Sequence, residues 1–208
     1  MSKKILFIVS FFISFNLLFA ANLLKNGEFD TGSMGYLSAK SGTYKLSRYT
    51  EDDGNKCAKI ELIKIEQGEN GKKTNITILT GDDPTKQGSL AKANTKYKFS
   101  LMLKGNQTRV SVRVDEVRTV AIPVWNTKRG RLKVDFTIPV KIEADQWNRV
   151  EGTFTTTEQA KRVCVGVQFW WDEKYGPMMY HEGDFVLIDK IVIEEDLEQK
   201  GQEDQTNP

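Results

Sequence analysis

Few residues of this chain have the chemistry of a catalyst. The sequence contains one histidine, His181, so a Ser-His-Asp triad would have to use it, and no Gly-x-Ser-x-Gly turn is present to expose a nucleophile. Asp115 and Asp135 could face each other from neighbouring strands, as the paired carboxylates of glycoside hydrolysis do. We interpret them instead as surface or hydroxyl-binding acids. With two cysteines and one histidine there is no zinc-type cluster either, and the sequence predicts no catalytic residues.

Polar and aromatic side chains of the chain do fall into an outward-facing pattern. Residues 108–115 and 162–170 alternate apolar and polar side chains, and residues 74–79 do so with Ile76 and Ile78 as the apolar positions. Such alternation places one set of side chains in a core and the other on the outer face of a strand. The outward set predicted in this way includes Asn75, Arg113, Asp115, Gln168 and Trp170. An outward tryptophan either contacts a ligand or is covered by its own loop, here residues 172–182.

Period-two alternation dominates the whole chain and predicts its fold class. Besides residues 108–115, 131–138 and 162–170, strands are expected at residues 58–65, 74–79, 96–103, 149–155 and 185–193. Turn signals rich in Gly, Asn, Asp and Pro separate these segments, and helical periodicity is absent after residue 20. Many short strands at this spacing are typical of an all-β, antiparallel β-sandwich of the jelly-roll type.

The two ends of the chain differ from the strand-rich part. Residues 1–20 have the pattern of a signal peptide, since Lys3 and Lys4 precede an apolar run that ends in small residues. An uncleaved membrane anchor is the alternative, although the run is shorter than the roughly 20 apolar residues that span a bilayer. We therefore expect a protein that is secreted, periplasmic or on the cell surface, with no membrane segment after cleavage. Residues 21–195 form the predicted domain, and residues 196–208 a disordered acidic tail.

Charge and cysteine content limit the remaining classes. Lys3 and Lys4 account for the formal net charge of +2, so the chain without its signal is neutral, which does not favour nucleic acid as a partner. Cys57 and Cys164 are the only cysteines. An exported chain can oxidise such a pair, and the sequence leaves open whether they are bridged.

Four segments resemble, in order, the calcium-binding jelly-roll carbohydrate-binding modules of families 4, 9 and 22. They are the opening residues 22–30 (NLLKNGEFD), the central strand at 97–105 (YKFSLMLKG), residues 146–154 (QWNRVEGTF) and the closing strand at 185–193 (FVLIDKIVI). The resemblance covers residues 22–195. It departs from the family pattern in the closing strand, where Lys190 follows Asp189 and the family usually has a second acid.

The resemblance implies a structural calcium ion and a glycan partner. It places Asp30 and Asp189 close together as metal ligands, with a backbone carbonyl near Lys56 completing part of the shell. The alternative is that both acids only accept hydrogen bonds from the protein.

A glycan would lie on the concave sheet, where an indole face packs on the apolar face of a sugar ring and polar side chains bind its hydroxyls. The residues expected to do this are Trp170, Gln168, Arg113, Asp115, Asn75 and Trp125. The predicted function is therefore a non-catalytic module that binds a poly- or oligosaccharide, and its other expected partner is an enzyme or a surface complex. The alternatives are a small jelly-roll polysaccharide-degrading enzyme that uses Asp115 and Asp135, and a surface or adhesion protein that binds protein.

Overall fold

The structure is a computed structural model in which residues 21–24, 27–29, 37–39, 43–80, 88–106, 109–118, 131–142, 146–177 and 179–197 are described. Residues 1–20 and 198–208, which the sequence assigns to a signal peptide and to most of the acidic tail, lie outside this part. The tail's first residue, Asp196, is held by the domain: its backbone N–H donates to the Lys96 carbonyl at 2.9 Å, and its carboxylate pairs with the Lys96 ammonium at 3.0 Å.

The described chain consists of twelve strands and one short 3-10 helix. The strands are β1 Leu37–Ala39, β2 Thr43–Thr50, β3 Lys56–Lys64, β4 Glu66–Gly68, β5 Gly71–Leu79, β6 Ser89–Leu90, β7 Lys96–Gly105, β8 Arg109–Arg118, β9 Arg131–Lys141, β10 Asn148–Thr155, β11 Ala160–Asp172 and β12 Phe185–Glu195. The 3-10 helix is Glu173–Tyr175. Among the described residues, no helix has the length and apolarity needed to cross a bilayer.

The strands form two antiparallel sheets. The first sheet has the order β1-β5-β11-β8-β9, with β4 pairing with β5 and β6 pairing with β11. The second sheet has the order β10-β7-β12-β3-β2. All the described pairings are antiparallel, and neighbours in the sheets are often distant in sequence, as in a jelly roll. The predicted all-β sandwich is confirmed.

The core lies between the two sheets and is built from the inward half of each strand. In β8 the inward side chains are Val110, Val112 and Val114, all of them buried as the alternation predicts. The second sheet contributes Ile60, Leu62, Leu101, Leu103, Val186 and Ile188, also fully or almost fully buried. Aromatic pairs fill the larger spaces: Tyr97 stacks on Phe154 at 5.6 Å between ring centroids, and Phe169 meets Tyr180 edge-on at 5.7 Å.

Residues 22–24 and 27–29 join the second sheet at the closing strand. Asn22 donates from Nδ2 to the Ile191 carbonyl at 3.0 Å and accepts the Ile193 N–H at 2.9 Å. Leu23 donates its N–H to the Ile193 carbonyl at 2.7 Å. Gly27 lies so close that a Cβ there would collide with the Ile191 carbonyl oxygen. The opening segment and the closing strand are therefore neighbours.

The two cysteines are free thiols, and both are buried. Cys164 alternates with the inward valines of β11 and so faces the outer side of the first sheet, whereas Cys57 alternates with inward side chains of β3 and faces the outer side of the second. Opposite outer faces cannot be bridged by a disulfide. Burial, aided by the negative charges of Glu51 and Asp189, raises the pKa of the Cys57 thiol to about 12, so this thiol stays protonated and unreactive at neutral pH.

Candidate functional site

An exposed tryptophan marks the outer face of the first sheet. Trp170 is 47% exposed, although its neighbours Phe169 and Trp171 are buried in the core. The alternation along β11 forces this arrangement, because successive side chains point to opposite faces. In the loop that follows, Tyr180 turns inward and packs on Phe169. The indole therefore reaches solvent, as a ligand-binding surface requires.

Amide side chains lie beside this tryptophan. Asn75 of β5 is the register partner of Trp170, and Gln168 lies one outward position away on β11. Gln168 donates from Nε2 to Asn75 Oδ1 at 3.3 Å, which links the two strands across the outer face. This bond uses one donor and one acceptor, so Gln168 Oε1, its second N–H and the Asn75 amide N–H groups remain for a ligand. The structure thus brings Trp170, Gln168 and Asn75 together.

Arg113 lies further along the same face. It is the register partner of Gly166 in β11, and Gln168 pairs with Ser111 one outward position away. Arg113 donates from Nε to Asp115 Oδ1 at 2.5 Å, and the Arg113 side chain is 19% exposed. From Trp170 to the level of Arg113 is four residues of strand, or about 13 Å. These side chains form the surface that we call the indole–arginine face: Asn75, Ser111, Arg113, Gln168 and Trp170.

Asp115 differs from the sequence expectation. The alternation predicts an outward carboxylate that reaches solvent, yet the Asp115 side chain is fully buried and its Oδ2 has no hydrogen-bond partner. Its position in β8 follows the alternation, since it faces Cys164 in the register of the first sheet. Strand parity predicts the face of a side chain but not what covers it. Asp115 contacts Arg113 and is not accessible to a ligand.

Two further predicted residues cannot be placed. Trp125 lies outside the described residues. Asp135 is part of β9, whose backbone pairs with β8, but its side chain is not described. A glycoside hydrolase that used Asp115 and Asp135 would need both carboxylates to face its substrate. Asp115 is buried, and for Asp135 the structure gives only its strand, β9.

Two of the three predicted metal residues, Asp189 and Lys56, lie near one corner of the second sheet. Asp189 is 2% exposed, and it lies where a bulge interrupts the pairing of β12 with β7. Its Oδ2 accepts from Asn55 Nδ2 at 3.1 Å, and its Oδ1 accepts from the N–H of Lys190 at 2.7 Å. Lys56 directly follows Asn55 at the start of β3, so its backbone is near this carboxylate. Asp30 lies outside the described residues.

Burial dominates the electrostatics of this corner. It raises the pKa of the Asp189 carboxyl, the Asn55 amide and the Lys190 N–H offset part of the rise, and the negative charge of Glu28 adds to it. The positive charge of Lys190 also offsets part of the rise, but burial outweighs it and still disfavours the charged carboxylate. The corner therefore has an electrostatic demand that a bound cation would meet.

The donor set at this corner suits calcium better than a transition metal. The described residues hold no group of three His, Cys, Asp or Glu side chains that could bind a metal. Calcium, unlike zinc, also accepts backbone carbonyl oxygens, and each Asp189 oxygen keeps lone-pair capacity beyond its one hydrogen bond. The carbonyl of Phe29, next to Asp30, is taken by Arg48, which donates to it from Nε at 3.0 Å and from Nη2 at 2.5 Å. Asp189 and the backbone at Lys56 thus fit a calcium ion, whereas the Phe29 carbonyl is already engaged.

A groove that the sequence did not indicate lies on the outer face of the second sheet. It encloses about 520 Å³ between Tyr49, Phe185, Leu187, Lys59, Lys104 and Glu51. Its lysines are paired within the protein: Lys59 contacts Glu61 at 2.9 Å, and Lys104 contacts Glu51 at 2.8 Å. Glu51 also accepts from the Trp147 indole N–H at 3.1 Å, which holds Trp147 against the β2–β3 turn. Because these charged groups already have partners, the first sheet remains the better candidate site.

Comparison with known proteins identifies the fold. No protein-family profile and no curated protein sequence matches this chain. Among solved structures, a family 4 carbohydrate-binding module has a TM-score of 0.51 and 13% identity, and the match covers 83% of this chain and 99% of that one. The CBM22-1 and GH10 modules of Clostridium thermocellum xylanase 10B, complexed with xylohexaose, have a TM-score of 0.51 and 11% identity over 86% of this chain and 29% of that one.

A third match comes from a phage protein. The enzymatically active domain of tailspike protein 4 of bacteriophage CBA120 has a TM-score of 0.52 and 11% identity over 84% of this chain. This chain spans 21% of the tailspike chain, so only a part of that protein is comparable. At such identities the likeness concerns the fold alone. The chain has the galactose-binding-like jelly-roll fold that carbohydrate-binding modules share, as the sequence resemblance predicted.

Proposed function

We propose that this protein binds a poly- or oligosaccharide on the indole–arginine face without catalysing a reaction. The observation that carries the proposal is the half-exposed indole of Trp170 on a regular strand, with the amide side chains of Asn75 and Gln168 beside it and Arg113 further along the same face. The fold supports the proposal, since the similar structures include a family 4 carbohydrate-binding module that is matched over 99% of its own length. The proposal places the ligand across β5, β11 and β8.

The face suits a sugar because it offers both kinds of contact that a pyranose needs. One side of a sugar ring presents C–H groups, which pack against the flat indole of Trp170. The ring hydroxyls require donors and acceptors in fixed directions, and Gln168 and Asn75 provide both from neighbouring strands. Asp115 does not take part directly, because its carboxylate is buried and bonded to Arg113.

A glycan array with the purified protein tests the proposal. We expect binding to at least one class of polysaccharide, followed by retardation of the protein in native gels that contain that polysaccharide. If no glycan on a broad array or in such gels binds, the proposal is wrong, and the protein-binding alternative takes its place.

We also propose that the protein works outside the cytoplasm, at the cell surface, in the periplasm or secreted. The pattern of residues 1–20 supports this, because a positive start followed by a short apolar run and small residues is typical of a signal peptide. A partner enzyme or a surface complex would give a non-catalytic module its use, because binding alone holds a catalyst near its polymer.

A structural calcium ion at the Asp189 corner completes the proposal, and its removal is the first testable prediction. Calcium supplies charge that compensates the buried carboxylate, and Asp189 with the backbone at Lys56 would hold it. Adding calcium to chelator-stripped protein is expected to raise the melting temperature, because a ligand at 100 times its Kd stabilises the native state by about 2.7 kcal/mol.

The matched variant for this experiment is Asp189→Asn, which keeps the size of the side chain and one acceptor oxygen but removes the charge. We expect it to lose the calcium-dependent rise in melting temperature, as followed by differential scanning calorimetry. Glu158→Gln, on the exposed turn between β10 and β11, serves as the control and should retain that rise. A wild-type melting temperature that is the same in calcium and in chelator contradicts the proposed ion.

A further inference from the structure

The guanidinium of Arg113 is fixed at one edge and open at the other. Its Nε donates to Asp115 Oδ1 at 2.5 Å. Neither Nη atom donates to a described protein group, and neither belongs to the buried polar atoms that lack a partner. The two Nη groups therefore reach solvent. A guanidinium held through Nε presents its remaining N–H groups as a planar fork, and this fork matches the two oxygens of a carboxylate.

The partner that fixes Arg113 is unusually well placed to restrain it. Asp115 is fully buried, so its carboxylate cannot move into solvent, and Arg113 is its only ion-pair partner among the described residues. Its second oxygen, Oδ2, is buried without a hydrogen bond. A pair built for stability alone would satisfy both oxygens, because an unsatisfied buried acceptor is costly. The arrangement instead fixes the orientation of Arg113, while one oxygen of Asp115 stays without a hydrogen bond.

On the β11 side the sheet leaves room for a ligand group at the level of Arg113, whereas on the β9 side its register partner is Thr137, whose side chain is not described. The register partner of Arg113 on β11 is Gly166, which has no side chain to compete for the fork. Gln168 and Trp170 continue the same outward row, so a glycan stacked on Trp170 would extend over Arg113 about 13 Å away. The fork thus lies on the path of an extended sugar chain.

We propose that Arg113, positioned by Asp115, binds the carboxylate of an acidic sugar unit, so that the ligand is a uronate-containing glycan. This inference rests on the proposed glycan-binding function and adds the chemical class of the ligand. Arg113 makes the direct contact, and Asp115 is a positioning residue that touches no ligand.

Matched ligands test the inference on the unaltered protein. The probes are galacturonate oligomers, mannuronate and guluronate oligomers, and glucuronate-substituted xylo-oligomers, each compared with its own carboxyl-reduced form, in which every carboxylate has become a primary alcohol. Calorimetry is expected to show at least one acidic oligomer binding about tenfold or more tightly than its reduced form, with an affinity that falls as salt is added. If neutral glycans bind and every acidic oligomer equals its reduced form, this inference is overturned while the proposed function stands. If no glycan binds at all, both fail.

A charge-preserving variant separates recognition from structural support. Arg113→Lys keeps a cation beside the buried Asp115 but loses the planar fork, so we expect the acidic-over-reduced preference to disappear while binding of the reduced oligomer persists. Arg149→Lys is the matched control. Arg149 also donates from Nε to a carboxylate two residues later in its strand, that of Glu151 at 2.8 Å, but this pair lies on the exposed outer face of the second sheet. It should change neither affinity. An unchanged preference in folded Arg113→Lys protein contradicts the assignment, and if that variant does not fold, the ligand comparison on the unaltered protein still decides.

Discussion

Replacing Phe169 with alanine is expected to lower the free energy of unfolding by about 3–5 kcal/mol, the largest effect of any single change considered for this fold. Phe169 is completely buried, packs edge-on against Tyr180 at 5.7 Å and lies across from Ile76 in the neighbouring strand. Its removal leaves a cavity between two sheets that can close only partly. A domain of this size has about 5–15 kcal/mol of stability in total, so the variant would be close to its threshold.

Urea unfolding, followed by far-ultraviolet circular dichroism, measures this loss. Phe169→Leu fills more of the space and should cost clearly less, which keeps the experiment informative if the alanine variant does not fold. Trp170→Ala is the neighbouring control, because the adjacent side chain points to solvent and its removal leaves no internal cavity. If Phe169→Ala and Trp170→Ala destabilise the protein equally, the assignment of the two faces of β11 is wrong.

Alternation along the chain is what made the strands predictable. The strands expected at residues 96–103 and 185–193 are observed as Lys96–Gly105 and Phe185–Glu195, and the buried faces are those that parity indicates. The sequence did not predict strand β2, Thr43–Thr50. This strand lies at the edge of the second sheet, its last three residues are exposed, and it has few apolar positions. Edge strands bury less of their surface, so their alternation in hydrophobicity is weaker.

The candidate site was predictable only as far as parity reaches. Trp170, Gln168 and Asn75 lie together because the register follows from which side chains must be inside. The full burial of Asp115 depends on the layer above the strand, and no local pattern encodes that layer. The lack of a disulfide between Cys164 and Cys57 follows from the sequence pattern, since the position of Cys164 between inward valines already places it on an outer face. The face of the sheet to which a side chain points follows from the local sequence, whereas its exposure to solvent depends on residues that are distant in the chain.

The bulge in β12 shows the same limit at the calcium corner. The sequence motif places Asp189 in a continuous strand, yet Lys190 adopts a φ of 48° and the pairing with β7 shifts between Asp189 and Val192. Bulges of this kind redirect a side chain and end regular pairing locally. The bulge brings Asp189 within reach of Asn55 on the β2–β3 turn, a contact that strand periodicity does not predict.

Replacing Trp170 with alanine is expected to weaken glycan binding by about 1–3 kcal/mol, or roughly 5- to 150-fold in Kd, because the sugar loses the apolar surface on which it stacks. The folded state should be little affected, since substitutions of exposed side chains usually change stability by less than about 0.5 kcal/mol. Trp170→Phe, which keeps a smaller aromatic face, is expected to retain part of the affinity. Isothermal titration calorimetry with the glycan identified by the array measures all of these values.

The matched control for Trp170 is Tyr49→Ala on the other side of the sandwich. Tyr49 is 41% exposed, close to the 47% of Trp170, and it lies on the outer face of the second sheet. If the glycan lies on the first sheet, Tyr49→Ala leaves its affinity unchanged while Trp170→Ala reduces it. The opposite result, a loss of affinity in Tyr49→Ala alone, would move the binding site to the groove between Tyr49 and Phe185. Equal losses in both variants would show that exposed aromatic area, and not a defined face, holds the sugar, since the two rings lie on opposite surfaces and cannot contact one short oligosaccharide together.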